Sequence, residues 1–342
     1  MKTLKTGIIG CGGIFPMHAE SIRNIKGVEI AAVCDVKTDR AQAKADKYGC
    51  RYYSDYKKML KSEKLDVVHI CTPHYLHVPM VLEAAKHKIN ILSEKPMGLN
   101  PKEGERAIAA AKKNKILYAV ISQNRFNPSS QLVKKRIAQG RLGKLKSAKL
   151  ILSYHKPDSF YKKSDWKGRK ALEGGGVVID QAIHYLDVLC WLVSSPVKYI
   201  EASVNNRYHT FIDVEDVAEG VIQFKNGFYA CFYLMNYYSY DADTQIEIDT
   251  ERSRVNIIKD SARIGYFKGG EESAAPKPNE YIDYGDGARD YWGYCHYNQI
   301  KDYYDALRNK RKPAITAEDA LKTQRIVWAI YESSRLKKKI YL

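Results

Sequence analysis

The sequence predicts an α/β fold: a domain with a parallel sheet over residues 1–123, then an α+β domain over 124–342 with a large, mostly antiparallel open sheet. Three observations predict it. Apolar strand-like runs alternate with helical patterns as far as Ser122, the first of these runs leads through glycines into a helix, and from Val197 to Tyr284 short alternating segments take over. Strands separated by helices imply parallel pairing with right-handed crossovers.

The first strand, Thr6-Gly7-Ile8-Ile9, runs into Gly10-Cys11-Gly12-Gly13-Ile14-Phe15, with Pro16 near the first position of a helix. A backbone without Cβ atoms can approach a pyrophosphate, and a helix amino terminus supplies N–H donors and positive dipole. Gly10 and Gly12 hold the first two positions of a dinucleotide fingerprint, while Phe15 holds the third, where glycine or alanine is usual. The next strand, Glu29 to Cys34, ends at Asp35, about twenty residues past the fingerprint, the spacing at which a carboxylate meets an adenosine ribose. Such an acid repels a 2′-phosphate and so favours NAD, whereas Lys37 and Arg40 leave NADP open.

A helix over Asp39 to Tyr48, a helical stretch from Tyr56 to Leu60, a strand from Asp66 to Cys71, a turn at Thr72-Pro73-His74 and a helix from His77 to Lys88 follow. They lead to Asn90-Ile91-Leu92-Ser93-Glu94-Lys95-Pro96. Pro96 cannot extend a central strand, so Glu94 and Lys95 either project at a strand's carboxyl end, where open α/β sheets bind ligands, or form a solvated pair at a loop start. A helix from Pro101 to Lys113 and a strand from Leu117 to Ser122 close the domain near Gln123. His69, His74 and His77 crowd together without an acid or cysteine at ligand spacing, and no metal is expected. His77, at a helix start, suits either the cofactor's phosphates or a plain capping role.

Beyond Gln123 a helix from Pro128 to Gln139 precedes a strand from Ser147 to His155. The long loop Lys156 to Leu172 carries Tyr161, Trp166 and Arg169, an aromatic and cationic mix that suits a polar ligand or an ordinary surface loop. Gly174-Gly175-Gly176 then feeds an apolar helix in which Asp180 and His184, four apart, share a face. That pair serves either as a satisfied core hydrogen bond or as a base whose ring a carboxylate orients, and spacing leaves both open. Strands follow at Tyr199 to Val204, Ala218 to Phe224, Tyr229 to Met235, Thr244 to Ile248, Val255 to Ile258 and Arg263 to Phe267, with a hairpin at Lys225-Asn226-Gly227. Gly269 to Gly287 reads as a loop. Helices from Tyr297 to Asn309 and from Ala317 to Lys337 finish the chain, the second opened by Thr316, and its packing back on the first domain is left open.

The net charge of +17 invites a nucleic-acid partner, yet the lysines are spread along helix faces, only Lys337-Lys338-Lys339 is continuous, and no nucleic-acid motif accompanies them. A solvated basic surface and no nucleic-acid partner are expected. Seven cysteines without a CxxC pair, most within apolar segments, read as reduced thiols of a cytoplasmic protein. With no run of eighteen apolar residues and no signal-peptide pattern at Met1, no membrane partner is expected either.

Taken in order, Gly10-Cys11-Gly12-Gly13-Ile14, Asp35, Thr72-Pro73 with His77, Glu94-Lys95-Pro96, Trp166 to Arg169 before the three glycines, and Asp180 to His184 resemble the glucose-fructose oxidoreductase / inositol dehydrogenase / rhizopine-catabolism (Gfo/Idh/MocA) family. The resemblance implies a two-domain NAD(P)-dependent oxidoreductase acting on sugars, sugar derivatives or cyclic polyols. It makes Lys95 the catalytic lysine, with Asp180 and His184 completing a triad, and it implies a peptide before Pro96 that is often cis. It places Gly10, Gly12, Gly13, Ile14, Asp35, Thr72, Pro73, His77, Glu94, Lys95, Gln123, Trp166 and Arg169 around the cofactor, and Arg125, His155 and Tyr161 beside the triad at the substrate. A hexose, glycoside or nucleotide-linked sugar is the expected substrate. Inositol or polyol oxidation, a glycosidase that retains NAD and oxidises its sugar transiently, and an NAD-sensing regulator are the alternatives. The second domain is expected to carry the substrate site and, through its open sheet, a homodimer or homotetramer contact.

Overall fold

The structure, a computed structural model, describes residues 3–277, 281–285 and 295–342, so part of the expected 269–287 loop lies outside the described residues. The chain divides into two compact units, one spanning Met1–Gln123 and Pro278–Leu321, the other Asn124–Lys277 and Lys322–Leu342.

Among the described residues the first unit carries six strands: β1 (Leu4–Ile9), β2 (Val28–Cys34), β3 (Arg51–Tyr53), β4 (Val67–Ile70), β5 (Asn90–Ser93) and β6 (Tyr118–Val120). They pair in parallel in the order β3-β2-β1-β4-β5-β6. β4 is buried along its whole length, as a parallel sheet covered on both faces requires. The order reverses between β1 and β4, and the carboxyl ends of these two strands flank the crevice where such sheets bind ligands. β3 is an addition to the expected set. Its three residues are mostly exposed and give no apolar alternation to read.

The helix His296–Arg308 also belongs to this unit, where Ile300, Tyr303 and Tyr304 join Ile8, Phe15, Ala19 and Leu92 in one core. The sequence reading groups residues 278–321 with the second domain because a local pattern shows that a helix has an apolar face but not which core receives it. The first residues of the helix Ala317–Leu336, namely Ala317, Ala320 and Leu321, lie in this unit's other core.

The second unit holds β7 (Leu145–Ser153), β8 (Val197–Asn205), β9 (Val217–Phe224), β10 (Tyr229–Met235), β11 (Gln245–Thr250), β12 (Ser253–Ile258), β13 (Ser261–Tyr266), β14 (Glu271–Ala274) and β15 (Ile340–Tyr341). Among the described residues these make a nine-stranded sheet in the order β14-β13-β12-β11-β7-β10-β9-β8-β15. Its pairings are antiparallel except that of β7 with β10. β14 corrects the expected loop from Gly269: Glu-Glu-Ser-Ala lacks β-branched and aromatic residues, yet it pairs with β13 at the sheet edge. Ala148, Leu150 and Leu152 of β7 point into a core shared with Leu186, Leu189, Val327 and Ile330, while Ile151 faces outward. Within the stretch Lys170–Val193 an 18-residue window is apolar enough to cross a bilayer, but 67% of it is buried inside the protein, as for a core helix.

Candidate active site

At the end of β1 the backbone turns at Gly10 with φ of 97°. A Cβ there would stand 2.4 Å from the carbonyl oxygen of Cys71 at the end of β4, so both the left-handed conformation and the close strand approach demand glycine. Gly12 differs. A Cβ on it would meet only the tip of Arg40, at 3.8 Å, so protein packing does not require glycine there and the space suits a close-lying ligand. Phe15, in the third fingerprint position, is fully buried and packs edge-on against Tyr48. Its bulk therefore enters the core of the unit and the helix Phe15–Arg23 keeps its start, with Pro16 in the first turn.

The Asp35 carboxylate accepts hydrogen bonds from the backbone N–H of Cys11 and of Lys37, both at 2.9 Å, with the Arg40 guanidinium at 3.7 Å. One acid thus ties the glycine turn to the end of β2 and presents a fixed negative charge where a ribose would sit. Gly10, Gly12 and Asp35 together fit a dinucleotide, which they would hold by backbone approach and by the acid. Gly10→Ala is expected to destabilise the protein by about 2 kcal/mol or more. A lower thermal midpoint and weaker NAD binding by calorimetry would both report it.

Thr72 and Pro73 follow β4, and the buried His77 sits at the start of the helix His77–Lys86. Its ring nitrogens lie 2.7 Å from the Pro96 carbonyl oxygen and 2.8 Å from that of Thr72. Two acceptors face the ring, so a neutral His77 can donate to one of them only; burial pulls its pKa down while both carbonyls oppose that shift. The Lys95–Pro96 peptide is cis. His77 thereby braces the Glu94-Lys95-Pro96 turn and the Thr72 turn, which places it between two loops at the strand ends.

Glu94 is buried at the end of β5 and terminates a polar chain inside the unit. Its Oε1 lies 2.9 Å from His18 Nε2, His18 Nδ1 lies 2.8 Å from His69 Nδ1, His69 Nε2 lies 3.0 Å from the Tyr304 hydroxyl, and that hydroxyl lies 2.7 Å from Thr6 Oγ1. A carboxylate only accepts, so His18 donates from Nε2, its Nδ1 accepts from His69, and Tyr304 donates to His69. The whole chain is satisfied with both histidines neutral. Burial indeed lowers the pKa of His18 and pushes that of His69 well below its ordinary value. Burial alone would raise the Glu94 carboxyl, but hydrogen bonds from His18 and His296 hold it well below the usual carboxylate range.

Because His18 and His69 have folded pKa values under the ordinary 6.5, their contribution to stability is complete above that pH and is lost as the pH falls below it. Each histidine is expected to cost at most about 1.4 kcal/mol per pH unit on acidification. Thermal midpoints between about pH 7.5 and 5.5 should fall accordingly, and His69→Gln should flatten the slope.

In the second unit the helix Ile183–Val193 is preceded by a π-helical turn, Val178–Ala182. Two of the three glycines before it, Gly175 and Gly176, serve packing. A Cβ on Gly175 would lie 2.0 Å from the Tyr331 hydroxyl, and one on Gly176 would lie 1.9 Å from the Glu215 carbonyl oxygen. The buried Glu215 carboxylate accepts from the backbone N–H of Gly176 and Val178 and from the Tyr331 hydroxyl, capping this helical segment.

Asp180 and His184 are both half-buried. Asp180 Oδ2 accepts from the Lys167 ammonium and from the Gln181 side-chain amide, each at 2.6 Å. Gln181 Oε1 accepts from Asn236, whose amide also lies 2.8 Å from the hydroxyl of the buried Tyr161. Tyr161, expected at the substrate, is thus joined to Asp180 through two side-chain amides. Trp166 lies beneath the Lys167 ammonium at 4.4 Å, whereas Arg169 is exposed at the start of the short helix Lys170–Glu173. His155 is exposed, with Nδ1 2.7 Å from the Tyr238 carbonyl oxygen. Gln123 is buried in the 3₁₀ turn Gln123–Phe126.

Arg125, expected at the substrate, has its guanidinium engaged in a buried bidentate pair with Asp187, at 2.7 and 2.6 Å. Lys167, Glu173, Gln181, Glu215, Asp187 and Tyr331 are not marked by the sequence, since each becomes visible only once the fold closes a side-chain partner on it.

Residues 4–122 match the family described as "Oxidoreductase family, NAD-binding Rossmann fold" and residues 130–256 match the "GFO/IDH/MocA C-terminal domain". The chain is similar to D-glucoside 3-dehydrogenase of Escherichia coli, 31% identical over 66% of this chain and 68% of that protein. It is also similar to myo-inositol 2-dehydrogenase of Thermotoga maritima, 24% identical over 99% and 98%. In three dimensions it resembles the WlbA dehydrogenase of Bordetella pertussis in complex with NADH and UDP-GlcNAcA, with a TM-score of 0.86 at 27% identity over 100% and 98% of the two chains. Levoglucosan dehydrogenase in complex with NADH and levoglucosan superposes with a TM-score of 0.87 at 20% identity, covering 99% of each chain, a likeness of fold.

Proposed function

The chain belongs to the Gfo/Idh/MocA oxidoreductase family, and from that premise we propose that it oxidises a ring CH–OH group of a sugar, glycoside or cyclic polyol with NAD. The observation that carries this reading is the cradle of Gly10, Gly12 and Asp35 in the unit that also bears Glu94-Lys95-Pro96. Relatives named for glucosides and inositol support the substrate class. NAD, when bound, supplies the acceptor for the carbinol hydride.

His184 takes the proton of the reacting hydroxyl. Asp180, held by Lys167 and Gln181, keeps the imidazole in one tautomer and balances the charge the ring acquires. Lys95 stabilises the developing alkoxide by charge and hydrogen bond. Glu94, anchored by His18, fixes the turn from which Lys95 extends. Tyr161, anchored through Asn236, stands at the substrate, and Trp166, beneath Lys167, stands at the cofactor.

Seven free cysteines support a cytoplasmic location. The outward face of the nine-stranded sheet, with Ile151 and Tyr229 exposed, supports assembly into a homodimer or homotetramer.

The test is a panel of glucose, galactose, inositol, O- and C-glycosides and UDP-sugars, followed by NADH absorbance with NAD and NADP in parallel. NADH formation with at least one panel member, faster with NAD, is the expected result. Cleavage of a glycoside without net NADH would point to transient oxidation instead.

A further inference from the structure

Resting on the reading of Asp180 and His184 as the reacting pair, we propose that Lys167 and Glu173 are positioning residues, a buried clamp that fixes the Asp180 carboxylate and sets the electrostatic environment of His184. The Lys167 ammonium lies 2.6 Å from Asp180 Oδ2 and 3.4 Å from Glu173 Oε1, with the three side chains only 18%, 11% and 1% exposed. Glu173 is itself held, because its other oxygen accepts the Gly168 backbone N–H at 2.5 Å. The rings of Trp166 and Phe160 flank the ammonium at 4.4 and 4.8 Å, so it is enclosed by π-faces as well as by acids.

A lysine that merely closed a surface loop would sit in water, and a buried ion pair kept for structure would need one acid. Here two acids share one ammonium, and the one it meets at 2.6 Å, Asp180, lies on the helical face that also carries His184. Lys167 cannot swing away from Asp180 without stranding Glu173, so the second acid fixes the first through the lysine. Burial also pushes the Glu173 carboxyl up, to about 7, against the opposing pull of Lys167. Among the described residues Tyr161 faces Glu173 and Asp180, with Asp216 behind it, and Tyr331 faces Glu173, with Glu215 behind it.

The test is a titration of the His184 Cε1 signal by carbon-13 NMR in the full chain, assigned by its loss in His184→Gln. Lys167→Met removes the charge that neutralises Asp180, so the His184 pKa is expected to rise by about 1 unit, with Lys167→Arg restoring the parent value. Glu173→Gln removes the negative charge that the second acid carries when ionised and is expected to lower the His184 pKa, and Lys167→Met/Glu173→Gln should return it toward the parent. A His184 titration in folded Lys167→Met that superposes on the parent overturns the proposal. If Lys167→Met does not fold, an unshifted titration in Glu173→Gln overturns it. Turnover is read separately. Loss of kcat in Lys167→Met with KM and NAD affinity kept supports the clamp, whereas a parent enzyme that makes no NADH from any panel member defeats the dehydrogenase reading and leaves the titration to decide on Lys167 and Glu173.

Discussion

Lys95→Ala is expected to lower kcat about a thousandfold while the NAD dissociation constant changes less than about threefold. The asymmetry follows from where the charge develops. A neutral hydroxyl becomes an alkoxide as its proton leaves, so an ammonium at that oxygen stabilises the transition state more than the bound substrate, and its removal appears in kcat. In the proposed binding mode Gly10 and Gly12 would hold the pyrophosphate and Asp35 the adenosine ribose, and the substitution touches none of them. His184→Ala should cost a similar factor, with partial recovery at high pH as hydroxide replaces the base. Steady-state kinetics beside calorimetric NAD titration separates these effects. Parent-like kcat in both variants would remove Lys95 and His184 from the chemistry.

Arg125→Ala is expected to give the largest loss of stability, about 3–5 kcal/mol, because it strands the Asp187 carboxylate in the second unit's interior. That carboxylate is 3% exposed and is held by the bidentate guanidinium and by the Thr323 hydroxyl at 2.6 Å. The guanidinium also lies over the Trp191 ring at 5.8 Å. Asp187→Ala should be comparably damaging, since it leaves the guanidinium buried without its acid. Replacing both, as Arg125→Met with Asp187→Leu, should recover most of the loss, because two apolar groups of similar volume demand no compensation. Chemical denaturation of the three variants measures this, and a double variant no better than the singles would show that the pair contributes more than mutual neutralisation.

The parts of the fold that were legible in the sequence are those with a local physical cause. Gly10 and Asp35 could be read because a left-handed turn and an acid at the end of a strand leave a mark within one strand–helix–strand unit. Pro96 marked the end of β5 for the same reason. β3 and β14 were not legible, being short, exposed and poor in apolar alternation. The place of the helix His296–Arg308 was not legible either, because its partners Ile8, Phe15 and Leu92 lie far back along the chain. At the candidate site the sequence marks Asp180 and His184 by their spacing. It conceals Lys167, which looks like any loop lysine until Asp180 and Glu173 close on it, and it gives no hint that Arg125 is engaged with Asp187. The three glycines read as a turn feeding an apolar helix, and the sequence does not show that Gly175 and Gly176 answer the close approach of Tyr331 and Glu215.

The central claim is that a ring carbon gives its hydride to NAD and that NADH is then released. Substrates from the panel that yield NADH, deuterated at the ring CH–OH carbons, can be turned over with unlabelled NAD and the nucleotide product weighed by mass spectrometry. The account predicts NADH one mass unit heavier, formed in many-fold excess over enzyme and lost in Lys95→Ala. Unlabelled NADH, or turnover of the sugar with the nucleotide pool unchanged, would contradict it.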